Sequence, residues 1–379
     1  MRKRAVVRIM PLLMCLSFLA VTAYSQEEIA IGPYVQNITP ESAVICWATE
    51  AGQSTITDPN GNVQSLRRYD HHEMALTRLQ PATTYAYDVL GTGAPEGKGT
   101  FATFPSGIGP FRFAVLGDTR SNHDVHARIV KRVIAERPML VINSGDLVSD
   151  GRNMEDWEHF FRINRDLMRS VPYYPLLGNH EKDSQFYFDF FHLPGNERYY
   201  MFSVGDVLFL MLDTDGRYYE TPEFMTEQER ERWWHEQNLE YFKQEKAWVE
   251  NRLELMKGAG FVFVTFHLPL YSVKASRVED AELRRKFWGD VFERHQVQVV
   301  FSGHDHHYHR AVKGGTHYVT TAGGGAGLYD TDAIQPESVK WEKTHHYMTV
   351  DVGRTEATLK AIDLDGNLIE TFTVERRRR

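Results

Sequence analysis

Phe111-Arg-Phe-Ala-Val-Leu116 runs directly into Gly117-Asp118, and comparable events recur along the chain. Met139-Leu-Val-Ile142 is followed by Gly145-Asp146, and Tyr174-Pro-Leu-Leu177 by Gly178-Asn179-His180. Phe261-Val-Phe-Val-Thr-Phe266 runs into His267, and Val297-Gln-Val-Val-Phe301 precedes Gly303-His304-Asp305-His306. Each apolar run has the length and the β-branched or aromatic content of a buried strand. Between the runs, apolar residues recur every four positions, as in Val125, Ile129 and Val133 or Leu283, Phe287 and Val291, which predicts amphipathic helices. Strands alternating with helices define an α/β class. Ligands of open α/β sheets bind outside the carboxyl ends of the strands, so this pattern delivers Asp, Asp, Asn, His and a His pair to one edge.

Taken singly, these residues have plain structural readings. Asp118 or Asp146 suits a helix cap, Asn179 a turn, and His267 a hydrogen-bonded core position. Together, carboxylate, amide and imidazole suit Zn, Mn or Fe, and the lack of cysteine ligands argues against a structural zinc site. Six candidate ligands, Asp118, Asp146, Asn179, His267, His304 and His306, exceed the needs of one catalytic zinc. Two ions sharing a carboxylate fit better, and a pair ~3.5 to 4 Å apart clamps the attacking and leaving oxygens of phosphoryl transfer.

The rest of the chain supplies the setting. It has 379 residues, 42% hydrophobic and 25% charged, which excludes a disordered chain and favours two domains. Residues 1–25 combine a basic start, an apolar run from Ile9 to Ala23 and small residues before a cut after Ser25, the pattern of a secretory signal peptide. The run is short for a membrane span, and Cys15 lacks the context of a lipid anchor. The expected product is exported, periplasmic or extracellular, with no membrane anchor after cleavage and with Cys46 unable to form an internal disulfide. The formal charge of -8 becomes more acidic once Arg2, Lys3, Arg4 and Arg8 are removed, so no nucleic acid partner is expected. From Ile29 to about Phe104 short strands and turns, among them a turn at Asp58-Pro-Asn-Gly61, predict a small β-sandwich, with Trp47 and Cys46 in its core. Leu79-Gln-Pro-Ala-Thr-Thr-Tyr85 resembles a fibronectin type III signature, and Pro105-Ser-Gly-Ile-Gly-Pro110 reads as a linker. The charged stretch from about Thr226 to Met256 is predicted helical, packed beside the sheet rather than over a site. Arg376 to Arg379 read as a frayed, solvated end.

Asp118, Gly145-Asp146, Gly178-Asn179-His180-Glu181, His267 and Gly303-His304-Asp305-His306 resemble, in order and spacing, the five blocks of the calcineurin-like metallophosphoesterases. The resemblance covers roughly residues 111 to 310, and with the fibronectin-like front it is similar to a purple acid phosphatase-related exported enzyme. It implies an α/β, four-layer metallophosphoesterase-like β-sandwich flanked by helices over residues 110–379, preceded by a small all-β fibronectin type III-like sandwich over residues 27–105. It also implies two divalent or mixed-valence metal ions, Fe, Mn or Zn, with Asp146 bridging. Asp118 and His306 would complete one position, and Asn179, His267 and His304 the other. In that family a metal-bound hydroxide attacks phosphorus in line, and His180 would contact the phosphate or assist the leaving group. The implied substrate is a phosphate ester, a monoester ahead of a diester. A reading of another class is a cell-surface binding protein with a degenerate metal site.

The chain departs from the family at two positions. Arg120 stands where a histidine ligand is common, and Ser149 where purple acid phosphatases carry a tyrosine. Asn122, His123 or water are candidates for the missing ligand, and Arg120 is read as a bidentate phosphate contact. His307 and His309 are not assigned as ligands, Ala322-Gly-Gly-Gly-Ala-Gly327 reads as a tight turn near the metal edge, and Asp213 as a supporting residue or a cap. Without the tyrosinate, the iron-loaded protein should lack a purple charge-transfer band. A strong visible band in the purified protein would contradict this.

Overall fold

The computed structural model describes residues 8–11, 28–57, 63–91, 94–217, 225 and 227–377. The front segment carries β1 (Arg8–Pro11), β2 (Ile29–Gln36), β3 (Ser42–Thr57), β4 (Val63–Thr77), β5 (Thr84–Asp88) and β6 (Lys98–Ala102). There follow β7 (Phe111–Leu116), α1 (His123–Glu136), β8 (Leu140–Asn143), α2 (Met154–Met168), β9 (Tyr173–Pro175), α3 (Gln185–Phe190), β10 (Tyr200–Val204) and β11 (Val207–Met211). The chain continues through α4 (Glu227–Leu255), β12 (Phe261–Thr265), α5 (Val278–Arg294), β13 (Val299–Ser302), β14 (Tyr308–Lys313) and β15 (Thr316–Thr321). It ends with β16 (Ser338–Glu342), β17 (His346–Val352), β18 (Glu356–Asp363) and β19 (Leu368–Glu375).

Two mixed sheets face each other after Pro110. One has the order β10-β11-β12-β13-β15-β14-β16, the other β19-β18-β17-β7-β8-β9. The strands that precede the candidate ligands run parallel to their neighbours: β7, β8 and β9 in one sheet, β12 and β13 in the other. Side-chain alternation explains why these strands are apolar throughout. In β12, Phe263 points between the sheets and meets the Phe113 ring at 5.1 Å, while Val262 and Val264 join the core on the outer face with Val249 and Leu253 of α4 and Val291 and Phe292 of α5. Phe113 also meets Phe209 at 5.1 Å and Phe301 at 6.4 Å, so one ring of β7 touches three strands of the opposite sheet. Arg112, its neighbour on the other face, pairs with Glu136 of α1 at 2.8 Å, which places α1 on the outer side of the second sheet. The layering is therefore helix, sheet, sheet, helix, an α/β sandwich behind an all-β front.

The front segment forms two three-stranded sheets, β1-β5-β6 and β2-β3-β4. Trp47 and Cys46 are buried in it. Buried Gln36 donates to Tyr173 O at 3.1 Å and accepts from His192 N at 2.8 Å, and the Tyr34 hydroxyl donates to Phe190 O. These bonds dock the front sheets on the β9 and α3 region, and the hydrophobic core is continuous across that contact.

Several expectations shift in detail. The turn at Asp58–Gly61 lies outside the described residues, between the long arms β3 and β4. The leader also lies outside them apart from Arg8–Pro11, which pair with β5. Among the described residues no helix is long and apolar enough to cross a membrane. In α5 the buried face is Ala281, Trp288, Val291 and Phe292, and Leu283 is 58% exposed, because the 3.6-residue period drifts away from a strict spacing of four. The chain end is not frayed at its first arginines: Arg376 pairs with Asp206, and Arg377 N donates to Gly260 O at 2.9 Å. Phe113→Ala should cost about 3–5 kcal/mol in denaturant unfolding, because three aromatic neighbours lose their partner. A loss under about 1 kcal/mol would contradict the inter-sheet role given to this ring.

Candidate metal centre

Each candidate ligand follows the carboxyl end of a parallel strand, and backbone bonds stitch the loops together. Ser144 N donates to Leu116 O at 2.9 Å, Asp118 N to Gly145 O at 3.0 Å, and Gly303 N to His267 O at 2.9 Å. Asp118, Asp146 and His304 all sit in the left-handed region, with φ of 55°, 54° and 68°. Such backbone is costly for non-glycine residues and persists where the surroundings impose it. Two glycines leave room for the convergence. A Cβ on Gly178 would lie 2.4 Å from Asp146 Oδ1, and one on Gly303 would lie 2.6 Å from Asp118 Oδ2.

The six residues come together. Asp118, Asp146 and His267 are buried and present ligand atoms within 4.8 Å of one another. His267 Nε2 lies 3.3 Å from Asp146 Oδ1 and 3.2 Å from Asn179 Oδ1, and His304 Nδ1 lies 3.0 Å from Asn179 Oδ1. His306 Nε2 lies 3.3 Å from Asp118 Oδ1. Backbone carbonyls set the tautomers: His267 Nδ1 meets Ser144 O at 2.8 Å, and His306 Nδ1 meets Gly327 O at 2.6 Å. Each ring spends its Nδ1 proton on a carbonyl and turns the Nε2 lone pair inward, the usual arrangement of a metal-ligating imidazole. Around Asn179, the Asp146 carboxylate, the Asn179 amide oxygen and the His267 and His304 ring nitrogens therefore face one another, and the one arginine on that carboxylate, Arg120, takes its other oxygen, Oδ2. That donor set fits a borderline divalent ion.

Electrostatics point the same way. Burial acts to lower His267, but Asp146, Asp215 and Asp118 outweigh it and raise it to about 9. Burial acts to raise Asp146, and His267, His180 and Arg120 overcome it and hold the carboxyl below its usual range. Burial, followed by His267 and the nearby arginines, keeps His304 neutral. The pocket is a carboxylate-rich site that draws positive charge.

Arg120 and His180 also reach the site. Arg120 Nε donates to Asp146 Oδ2 at 3.1 Å, and its Nη2 lies 3.4 Å from His306 Nε2. His180 N donates to Asp146 Oδ1 at 3.0 Å, its Nδ1 meets Ser149 O at 2.6 Å, and its Nε2 stands 3.9 Å from Asp146 Oδ2. Neither side-chain candidate for the missing ligand is turned inward. Asn122 Oδ1 caps α1 by accepting from Val125 N at 3.2 Å, and His123 stacks on His159 at 4.5 Å. His307 and His309 are both buried, and His309 meets Ser338 Oγ at 2.9 Å. Asp213 is a cap, accepting from Asp215 N at 3.0 Å and Gly216 N at 2.8 Å.

Two supports carried no sequence signal of their role. Fully buried Glu181 accepts from Asp146 N, Leu147 N, Val148 N and Gly178 N at 3.0, 2.8, 3.4 and 2.7 Å. It thereby clamps the Asp146 loop to the Asn179 loop. Burial, then Asp146, push its carboxyl up to about 8, while the backbone donors pull toward the ionised form. The glycine-rich loop passes directly under Asp118: Gly324 N donates to Gly117 O at 3.0 Å and Ala326 N to Asp118 O at 2.8 Å, before Gly327 O accepts the hydrogen bond from His306 Nδ1. Its proximity to the metal edge matched expectation, but its hold on His306 was invisible in the sequence. Beside it, a cleft of about 550 Å³ is lined by Ser121, Asn122, His123, Gly325, Gly327 and His345.

This fold and this donor set define an α/β sandwich with a carboxylate–imidazole metal-ligand edge. Residues 111–308 match the calcineurin-like phosphoesterase family, more than half of the chain, and the chain belongs to that family. Its relatives include purple acid phosphatase 13 of Arabidopsis thaliana, 22% identical over 323 residues that make up 69% of this chain and 56% of the relative. An uncharacterized protein of Mycobacterium tuberculosis is 26% identical over 279 residues, 62% of this chain and 50% of the relative. The chain thus spans about half the length of the curated relatives it matches. Among solved structures, a purple acid phosphatase from yellow lupin (Lupinus luteus) seeds shares the fold with a TM-score of 0.69 at 16% identity, covering 90% of this chain and 74% of that one.

Glu181→Gln should weaken metal affinity roughly 10- to 100-fold, because an amide NH₂ would then face backbone N–H groups and loosen both ligand loops. Calorimetric Mn²⁺ or Zn²⁺ titration, with circular dichroism to check the fold, measures this. Wild-type affinity in the variant would contradict the clamp.

Proposed function

We propose that the protein is an exported phosphoesterase that hydrolyses phosphate monoesters at the centre built on Asp146. The observation that carries the reading is the convergence of Asp146, Asn179, His267 and His304 with their lone pairs inward, beside the Arg120 guanidinium. Metal bound there lowers the pKa of water and neutralises charge on the phosphoryl oxygens. Of the candidate ligands Asp118, Asp146, Asn179, His267, His304 and His306, the four grouped around Asn179 would hold it, with Asp118 and His306 on the far side of Asp146.

The chain's own side chains supply the rest. Arg120 keeps its position through Nε on Asp146 and directs its remaining N–H groups at the phosphoryl oxygens, a geometry suited to the dianion of a monoester. His180 is fixed by Ser149 O through Nδ1, leaving Nε2 at the partly open mouth to carry a proton to the departing alkoxide. The adjacent cleft takes the leaving group. The leader pattern of residues 1–25 supports export to the periplasm or beyond, and residues 27–105 are read as a fibronectin type III-like domain whose core runs on into that of the catalytic one.

Metal-loaded protein should cleave an aryl phosphate faster than a bis-aryl phosphate. Asp146→Asn should lower metal content and turnover together, the latter by roughly 10²-fold or more, the scale seen when a charge-stabilising group is removed. Unchanged turnover in Asp146→Asn would reject the site. Faster cleavage of the bis-aryl ester would reassign the substrate class to diesters.

A further inference from the structure

We propose that the Arg120 guanidinium occupies one of the two cation positions of this centre, so that the chain binds a single metal ion through Asp146, Asn179, His267 and His304. The proposal rests on the metal-dependent reading of the site and specifies its composition.

The atoms that would face an ion between Asp118, Asp146 and His306 already have a partner. Asp146 Oδ2 accepts Arg120 Nε at 3.1 Å. His306 Nε2, left as an acceptor because Nδ1 is committed to Gly327 O, faces Arg120 Nη2 at 3.4 Å. One planar, permanently charged group thus spans the bridging carboxylate and the histidine that would close this position. Both Asp118 oxygens also accept His304 N, at 3.1 and 3.0 Å, which further occupies that side. The Arg120 side chain is 16% exposed and is steadied by Ser121 Oγ at 3.3 Å from Nη1.

Among the described residues, no side chain beyond Asp118, Asp146 and His306 completes a ligand set there. Ser149 stands where the resemblance leads to a tyrosine, and its carbonyl is taken by His180. Asn122 caps a helix and His123 stacks on His159. The opposite side of Asp146 is different. Oδ1 of Asp146, which also accepts His180 N at 3.0 Å, Oδ1 of Asn179, Nε2 of His267 and Nδ1 of His304 supply four donors, the number a tetrahedral ion requires, and among the described residues no arginine or lysine side chain is hydrogen-bonded to these four atoms. The two sides of one carboxylate are thus divided between a fixed guanidinium and an exchangeable metal. With one charge fewer than a second divalent ion would bring, the site gains directional N–H donors for phosphoryl oxygens.

The test is metal stoichiometry in the full-length protein, loaded with Mn²⁺, freed of excess metal and measured by mass spectrometry, together with the electron paramagnetic resonance spectrum. Wild type should hold one Mn²⁺ per chain with an uncoupled, mononuclear signal. Arg120→His, which exchanges a cation for a ligand, should hold two and show exchange coupling; Arg120→Gly, checked by its melting curve, should gain a weaker second site. Two coupled ions in wild type would overturn the proposal while leaving the metal-dependent reading intact. No bound metal in wild type would overturn both. A variant that folds and still holds only one ion would remove Arg120 as the occupant.

Discussion

Two carboxylates buried at one sheet edge are the constraint on which the rest depends. Asp118 and Asp146 are almost entirely shielded from water and bring ligand atoms within 4.8 Å of each other and of His267. At an effective dielectric near 20, two such charges repel by about 3 kcal/mol or more, beyond the cost of removing each from water. Only positive charge at the same edge makes the arrangement stable. His267 beside Asp146 Oδ1, Arg120 on Asp146 Oδ2 and bound metal are the sources the site offers.

The fold holds this concentration of like charge in place. Parallel strands from two facing sheets end at the same level, and the phenylalanines between them fix the spacing of the sheets. Left-handed backbone at Asp118, Asp146 and His304 then turns each side chain back over the edge. The strain is sustained by inter-loop hydrogen bonds and by Glu181, whose two oxygens gather four backbone donors from two loops. The centre is therefore a property of the sandwich as a whole, and a change in one loop is felt by ligands on another.

Much of this was legible in the linear chain. Phe111–Leu116 forms a strand with the expected limits, Glu227–Leu255 forms the expected flanking helix, and the residues after each strand meet at one edge. Those features follow from local periodicity and from strand polarity, both of which survive in sequence. The supports do not, because their partners are backbone atoms. The carbonyls of Ser144, Gly327 and Ser149, which orient three imidazoles, carry no residue signature. The exposed Leu283 and the anchored Arg376 illustrate the same limit: which face a helix buries, and whether a charged end finds a counter-ion, are decided by elements distant in the chain.

The central claim is that the lone pairs gathered around Asn179 hold a metal ion. Anomalous diffraction from crystals of the Mn²⁺- or Zn²⁺-loaded protein addresses it most directly. The account predicts a peak at about 2.0–2.2 Å from Asp146 Oδ1, Asn179 Oδ1, His267 Nε2 and His304 Nδ1. A loaded crystal with no anomalous density among these atoms, or with density only at a distant surface site, would contradict it.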